Sequence, residues 1–274
     1  MLTPLLRGIL PLLLAAGIAA AGEVEIVAHR GDFSAAPENS LAAFRAAWRS
    51  GVRYVELDVR QSADGAYICC HDRDLRRVTG GAAGDRPVRR MTLAEIKRYP
   101  LVAGKGGPAT GEKVPTLDEV LAELPKDAGI FLEIKSVGAK FPLHLAAMIE
   151  KHHIAKERIT VISFRASALA NLNRRTPGFR TLLLLNLMPP DKGATAPKLT
   201  AEELIDRLKK LGVSGVGAKI PAGVDASYIR KVRDAGFVFH VSVVNREAAA
   251  RRFRDLGADS ISSNRAAALQ AALR

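Results

Sequence analysis

Seven side chains able to do chemistry cluster at the ends of short apolar runs in this 274-residue chain. His29 and Arg30 close the run VEIVA, Glu56 and Asp58 lie in RYVELD, and Glu133 and Lys135 lie in GIFLEIK. His71 follows the alternating stretch AYICC. Glu56/Asp58 and Glu133/Lys135 are each spaced i, i+2, so each pair shares one face of its strand. Three carboxylates brought together repel, and their pKa values rise unless a cation joins them. Oxygen donors of this kind suit Mg²⁺, Ca²⁺ or Mn²⁺ better than zinc. Arg30 and Lys135 offer a fork and a point charge to a phosphate, and two histidines can divide base and acid roles around a phosphodiester. A cation there would polarise the phosphoryl oxygens. Each residue alone has a plainer reading: a solvated strand end for E-x-D, a Lys135–Glu133 pair, a hydrogen-bonded core histidine for His29. The weight lies in their conjunction.

That conjunction needs elements that bring the run ends together. Strand-length apolar runs are expected at 24–28, 53–58, 129–135, 158–163, 180–185, 213–217, 237–244 and 259–262. Helical patterns are expected at 39–50, 117–124, 141–153, 165–175, 200–211, 225–235, 246–255 and 265–273. Thr116 and Thr200 stand at N-cap positions with Glu119 and Glu203 three residues on, the capping-box signature. Eight strands alternating with eight helices predict an α/β fold, a (β/α)8 TIM barrel, with an open doubly wound sheet as the competing architecture. A barrel gathers its chemistry at the C-terminal strand ends. Read in order, these carry His29-Arg30, Glu56 and Asp58, Glu133 and Lys135, Ser163, Asn186, Lys219, Asn245 and Asn264. One stretch breaks the alternation: Asp64-Gly65 is a hairpin signal. It predicts an antiparallel excursion after strand two that returns His71 beside Asp58, within an insertion spanning about 59–115. His144, His152, His153 and His240 lack the strand-end setting, and the first three are expected on a helix surface.

Bulk properties narrow the function further. Hydrophobic residues make up 48% and charged residues 25%, the balance of a globular protein with a sizeable core. The net charge is +13, yet aromatics are only 5% and the basic residues are scattered. Nucleic-acid binders concentrate charge and add stacking rings, so a solvated basic surface that draws in anions is the better reading. Residues 1–21 carry Arg7, an apolar stretch from Ile9 to Ala20 and an Ala19-Ala20-Ala21 cleavage site. This predicts a secretory signal peptide, with a periplasmic mature domain at 22–274 and no membrane span after cleavage. The adjacent Cys69 and Cys70 would point to opposite faces of a strand, as small buried hydrophobes rather than a staple.

The segments AHRGDFSAAPENSLAAF, VELDVRQSADGAYICCHD, RRVTGG, VPTLDEVL, FLEIK and ISF, in this order, resemble the glycerophosphodiester phosphodiesterases. The likeness covers nearly all of the chain after residue 21. It implies a phosphatidylinositol-phospholipase-like barrel with a small insertion. It also implies His29 and His71 as the acid–base pair, and Glu56, Asp58 and Glu133 as ligands of one divalent cation. Arg30 and Lys135 would hold the phosphate, and Glu38 would line the site, with Ser163 and Asn245 as further candidates. The implied reaction is hydrolysis of a glycerophosphodiester to glycerol 3-phosphate and an alcohol, by direct water attack or through a cyclic phosphate. Two departures stand near the C-terminus. VSVVN places Ser242 and Val243 where the family has an aromatic and a threonine, and SISSNRAA places Asn264 where a carboxylate is common. Both are expected to bear on substrate preference without touching the metal ligands or histidines. A phospholipase D-like or cyclising activity on lysophospholipids, and a non-catalytic envelope anion-binding protein, are the competing readings.

Overall fold

The computed structural model describes residues 24–104, 106–189 and 195–274. The expected signal peptide lies outside the described residues. In chain order the strands are β1 (Glu25–Ala28), β2 (Tyr54–Gln61), β3 (Tyr67–Cys69), β4 (Pro100–Val102), β5 (Ala109–Lys113), β6 (Gly129–Ser136), β7 (Ile159–Ser163), β8 (Arg180–Asn186), β9 (Gly215–Lys219), β10 (Val238–Val241) and β11 (Ser260–Ser263). The helices are α1 (Leu41–Arg49), α2 (Leu93–Ile96), α3 (Leu117–Ala122), α4 (Phe141–Lys151), α5 (Ala166–Arg175), α6 (Ala201–Leu211), α7 (Ala226–Asp234), α8 (Glu247–Asp255) and α9 (Ala266–Leu273).

β1, β2 and β6 to β11 pair in parallel, and β1 bonds both β2 and β11, which closes the barrel. The expected (β/α)8 architecture is therefore the observed one, and the open sheet is excluded. Strand alternation sorts the side chains. On β2, Val55, Leu57 and Val59 join the large core between strands and helices, while Glu56 and Asp58 take the other parity. On β6, Ile130, Leu132 and Ile134 enter that same core; Phe131 packs inside the barrel with Val27, Ile162, Leu182 and Leu184. Glu133 and Lys135 share the parity of Phe131. Truncating Leu57 to Ala would open a void between sheet and helices, costing about 2–5 kcal/mol.

The excursion is present. β3 runs antiparallel to β2 with Gln61 opposite Tyr67, across a turn in which Gly65 adopts φ +91°. Cys70 N–H donates to the Asp58 carbonyl at 2.9 Å, which brings His71 back within one residue of Asp58. Cys69 packs in the main core and Cys70 in a separate small core with Ile68, Leu75, Met91 and Leu101, so the pair does face opposite ways. Burial pushes both thiols up, Cys70 to about 12, leaving them inert. The insertion holds more order than the sequence reading gave it: α2, capped by a Thr92/Glu95 box, and the β4–β5 hairpin. The strand expected at 237–244 ends early, at Val241.

Candidate active site

The first strand ends in a strained turn. Arg30 and Asn39 both sit in the left-handed region, at φ +59° and +54°, conformations that non-glycine residues occupy at a cost. Gly31, at φ +79°, packs so closely on α1 that a Cβ would meet the Ala43 backbone carbon at 2.7 Å. Asn39 N–H donates to the Arg30 carbonyl at 2.9 Å, folding the loop back on itself. Ser40 then caps α1, its hydroxyl accepting from Ala43 N–H. This fold-back places Asn39 over β2. Its Nδ2 donates to Asp58 Oδ2 at 2.8 Å, and its Oδ1 accepts from Asp58 N–H at 3.1 Å.

Glu56, Asp58 and Glu133 are buried, and one oxygen from each lies within 4.8 Å of the other two. Asp58 stands opposite Glu133 in the β2–β6 register, which is why the two meet. Lys135 Nζ sits 2.7 Å from Glu133 Oε1 and 3.2 Å from Asp58 Oδ1. Arg30 N–H donates to Glu56 Oε2 at 2.9 Å, and Arg30 Nη1 donates to Glu38 Oε1 at 2.9 Å. Burial, reinforced by Asp58 and Glu133, pushes Glu56 well above the usual carboxylate range. Glu133 is also raised, chiefly by burial. Burial acts the same way on Asp58, but Lys135 and then Arg30 outweigh it and hold its carboxyl low.

Among the described residues, two buried polar atoms of this cluster lack a hydrogen-bond partner, Asp58 Oδ1 and Arg30 Nε. Lys135 approaches Asp58 Oδ1 to ion-pair distance without hydrogen-bond geometry, and Arg30 Nε lies 3.5 Å from Asp58 Oδ2. A spare carboxylate oxygen among three converging carboxylates fits a hard divalent cation, and a spare guanidinium N–H fits an anion beside it.

The two histidines flank the cluster with different supports. His29 Nδ1 lies 2.6 Å from Asn264 Oδ1, and its Nε2 lies 4.0 Å from Glu56 Oε2. Burial, then the charge of Arg30, lowers its pKa to about 4. His71 Nδ1 lies 2.8 Å from Asp72 Oδ1. Burial lowers His71 too, against the opposing pull of Asp58 and Asp72. Arg77 ties this side together, bonding Asp72 at 2.6 Å and both oxygens of Glu38 at 2.6 and 2.8 Å.

His29, Arg30, Glu38, Glu56, Asp58, His71, Glu133 and Lys135 thus form one connected constellation. Ser163 does not join it by its hydroxyl, which donates to the Ile134 carbonyl at 3.0 Å and accepts from Arg165 N–H. Asn245 stands behind it, accepting from Asn264 N–H at 2.9 Å. One expectation is corrected. Asn264 was expected to leave the histidines untouched, yet its side chain is the direct partner of His29. Asn39, Asp72 and Arg77 were missed as supports. Asp72 was legible as the neighbour of His71; Arg77 was not, since its partner Glu38 is 39 residues away.

Residues 29–268 match the model of the glycerophosphoryl diester phosphodiesterase family. The chain belongs to that family. It is 29% identical over 255 residues to a glycerophosphodiester phosphodiesterase of Bacillus subtilis, covering 87% of this chain and 82% of that protein. A phosphodiesterase from Oleispira antarctica, solved with the product sn-glycerol-3-phosphate, superposes with a TM-score of 0.75 at 26% identity, covering 91% of this chain and 96% of that one. A glycerophosphodiester phosphodiesterase from Agrobacterium tumefaciens gives 0.72 at 27% identity, over 91% of this chain and all of the other. Within the family model's span, the carboxylate cluster and both histidines fall at the barrel end expected of an active site.

Proposed function

We propose that this protein is an exported, metal-dependent phosphodiesterase that hydrolyses glycerophosphodiesters to glycerol 3-phosphate and an alcohol. The observation that carries this reading is the convergence of Glu56, Asp58 and Glu133 between two histidines with unlike supports. Family membership and the product held by the Oleispira relative support the substrate class.

Glu56, Asp58 and Glu133 would hold one divalent cation, Ca²⁺ or Mg²⁺, with Mn²⁺ a third option. The chemistry such an ion supplies when bound is Lewis-acid polarisation of phosphoryl oxygens. Arg30 and Lys135 bind the phosphate by charge, and Arg30 is oriented for this by Glu38. An amide oxygen only accepts, so Asn264 fixes the proton of neutral His29 on Nδ1 and leaves Nε2 free. Burial keeps that ring neutral at pH 7, so His29 is suited to accept a proton from the nucleophile, whether water or a glycerol hydroxyl. Burial lowers His71 as well, but Asp58 and the Asp72 carboxylate on Nδ1 oppose that shift, whereas His29 has only a neutral amide there. Of the two rings His71 is therefore the better suited to carry a proton to the leaving alcohol. Residues 1–21 act as the export signal for a domain at 22–274 in the periplasm. Among the described residues no helix is long and apolar enough to cross a membrane.

The second reading, action on lysophospholipids, has one observation in its favour. Phe164, Met188 and Val243 are exposed apolar residues beyond the C-terminal ends of β7, β8 and β10, and Phe164 is 61% exposed. Substitution of either histidine tests the main reading. His29→Ala and His71→Ala should each abolish turnover of glycerophosphocholine while circular dichroism stays native. Near-normal rates in both would overturn the acid–base assignment.

A further inference from the structure

A cavity of about 260 Å³ adjoins the carboxylate cluster on the side of the insertion. Arg60, Arg73, Arg89 and Lys135 line it, and among the described residues no carboxylate belongs to its wall. Lys135 connects the two spaces, because its Nζ reaches Glu133 and Asp58 in the cluster while its side chain also borders the cavity. Arg60 follows Asp58 at i+2 on β2 and, past an irregularity in the β2–β6 register after Val59, stands opposite Ser136, a second residue of the cavity wall. Its guanidinium is held by the His71 carbonyl, which accepts from Nε at 3.1 Å and from Nη2 at 2.7 Å. A carbonyl orients that side chain but does not neutralise it.

The insertion distributes its charge unevenly. Arg77 is paired with Glu38 and Asp72, and Arg86 with Glu95. Arg73 and Arg89 lie within the same segment and form no ion pair with any described residue. Arg73 and Arg89 thus bring uncompensated charge to the cavity wall, as Arg76, Arg90 and Arg98 do elsewhere on the insertion. Gathering such cations in a concave space is unfavourable by itself and produces a focused positive potential. An anion relieves it, and a phosphate matches guanidinium forks best.

We propose that this cavity is the subsite for the leaving alcohol, and that it selects glycerophosphodiesters whose alcohol carries a second phosphate group. The proposal rests on the phosphodiesterase reading above. Lys135, which the reading above assigns to the scissile phosphate, also lines this cavity, so a second phosphate held by Arg60, Arg73 and Arg89 would neighbour the first.

The test compares glycerophosphoglycerol with 1,3-bis(glycerophospho)glycerol, which adds a second phosphodiester to the same alcohol. At low ionic strength wild-type kcat/KM should favour the bis-phosphate substrate by roughly tenfold or more, as expected for charge-assisted contacts. In Arg73→Gln/Arg89→Gln that preference should collapse below about threefold, through KM rather than kcat, and it should shrink with added salt in the wild type. Equal kcat/KM for the two substrates in the wild type, or a preference kept by the double variant, would overturn the subsite. Turnover of neither substrate would overturn the functional reading itself, and the subsite with it.

Discussion

His29 Nδ1 lies 2.6 Å from the side-chain oxygen of Asn264, a residue 235 positions away along the chain. The barrel makes this contact: β1 and β11 are neighbours in register, with Ala28 opposite Ser263, so the residues that follow each strand meet. Asn264 is anchored in turn by Asn245, which accepts its backbone N–H. Removing the amide should leave the ring free to rotate and to change tautomer. Asn264→Ala is expected to lower kcat about tenfold with KM little changed, a fraction of what a general base contributes. Asn264→Asp, which still accepts from Nδ1, should recover much of that loss. Equal losses in the two variants, measured by steady-state kinetics, would contradict an orienting role.

The other histidine is supported by a carboxylate, and the difference is testable. Asp72→Asn keeps the size of the group but removes the charge that stabilises the His71 imidazolium. It should lower kcat by about tenfold or more. It should do less to a substrate whose leaving alcohol is acidic, such as a p-nitrophenyl ester, because that group departs with little protonation. An identical loss on both substrates would place His71 outside the acid role.

Asn39 is a stability residue as well as a support. It makes two bonds to buried Asp58 and holds φ +54°. Asn39→Ala leaves those groups unsatisfied and places a Cβ-bearing residue with no local hydrogen bond in a left-handed conformation. The expected cost is about 2–4 kcal/mol in denaturant unfolding. A change under about 0.5 kcal/mol would show that Asp58 does not depend on it.

His240 supplies a pH dependence of stability from inside the barrel, with the charge of His29 as a secondary cause after burial. It is fully buried inside the barrel, bonded to Ser260 at 2.8 Å and Ser262 at 3.0 Å, and burial lowers its pKa to about 3. The unfolded chain then binds a proton that the folded one does not, between about pH 6.5 and 3. Stability from this group is complete above pH 6.5 and is lost as the pH falls below it, by about 1.4 kcal/mol per pH unit well under 6.5. Unfolding of His240→Gln should show a correspondingly shallower loss between pH 6 and 4.5. Parallel curves for variant and wild type would show that His240 takes up its proton without unfolding.

The fold was legible because each barrel strand is an apolar run bounded by turn residues, and each helix carries a buried face. The insertion was less so. β5 reads ATGEK, half polar and partly exposed, and offers no hydrophobic period. α2 is only four residues long, though its Thr92/Glu95 box is the same signature that marked Thr116 and Thr200. In the site, the i, i+2 spacing of Glu56/Asp58 and Glu133/Lys135 is a local property, and it carried through to a shared interior face. The supports of the histidines are not local. Asn264 reaches His29 only through barrel closure, and Arg77 reaches Glu38 only through the folded insertion. Asn39 was visible as part of a helix start, but its hold on Asp58 depends on the left-handed turn before it.

Metal-dependent hydrolysis is read most directly from the phosphorus itself. Purified protein lacking residues 1–21 would be incubated with glycerophosphocholine and ³¹P NMR spectra recorded with Ca²⁺, Mg²⁺ or Mn²⁺ and after treatment with EDTA. Conversion to glycerol 3-phosphate is expected with at least one of these ions, with loss of turnover on chelation and its return when the ion is restored. Full activity in the chelated protein would contradict the metal role of Glu56, Asp58 and Glu133. Persistence of the diester under every condition would contradict the proposed reaction.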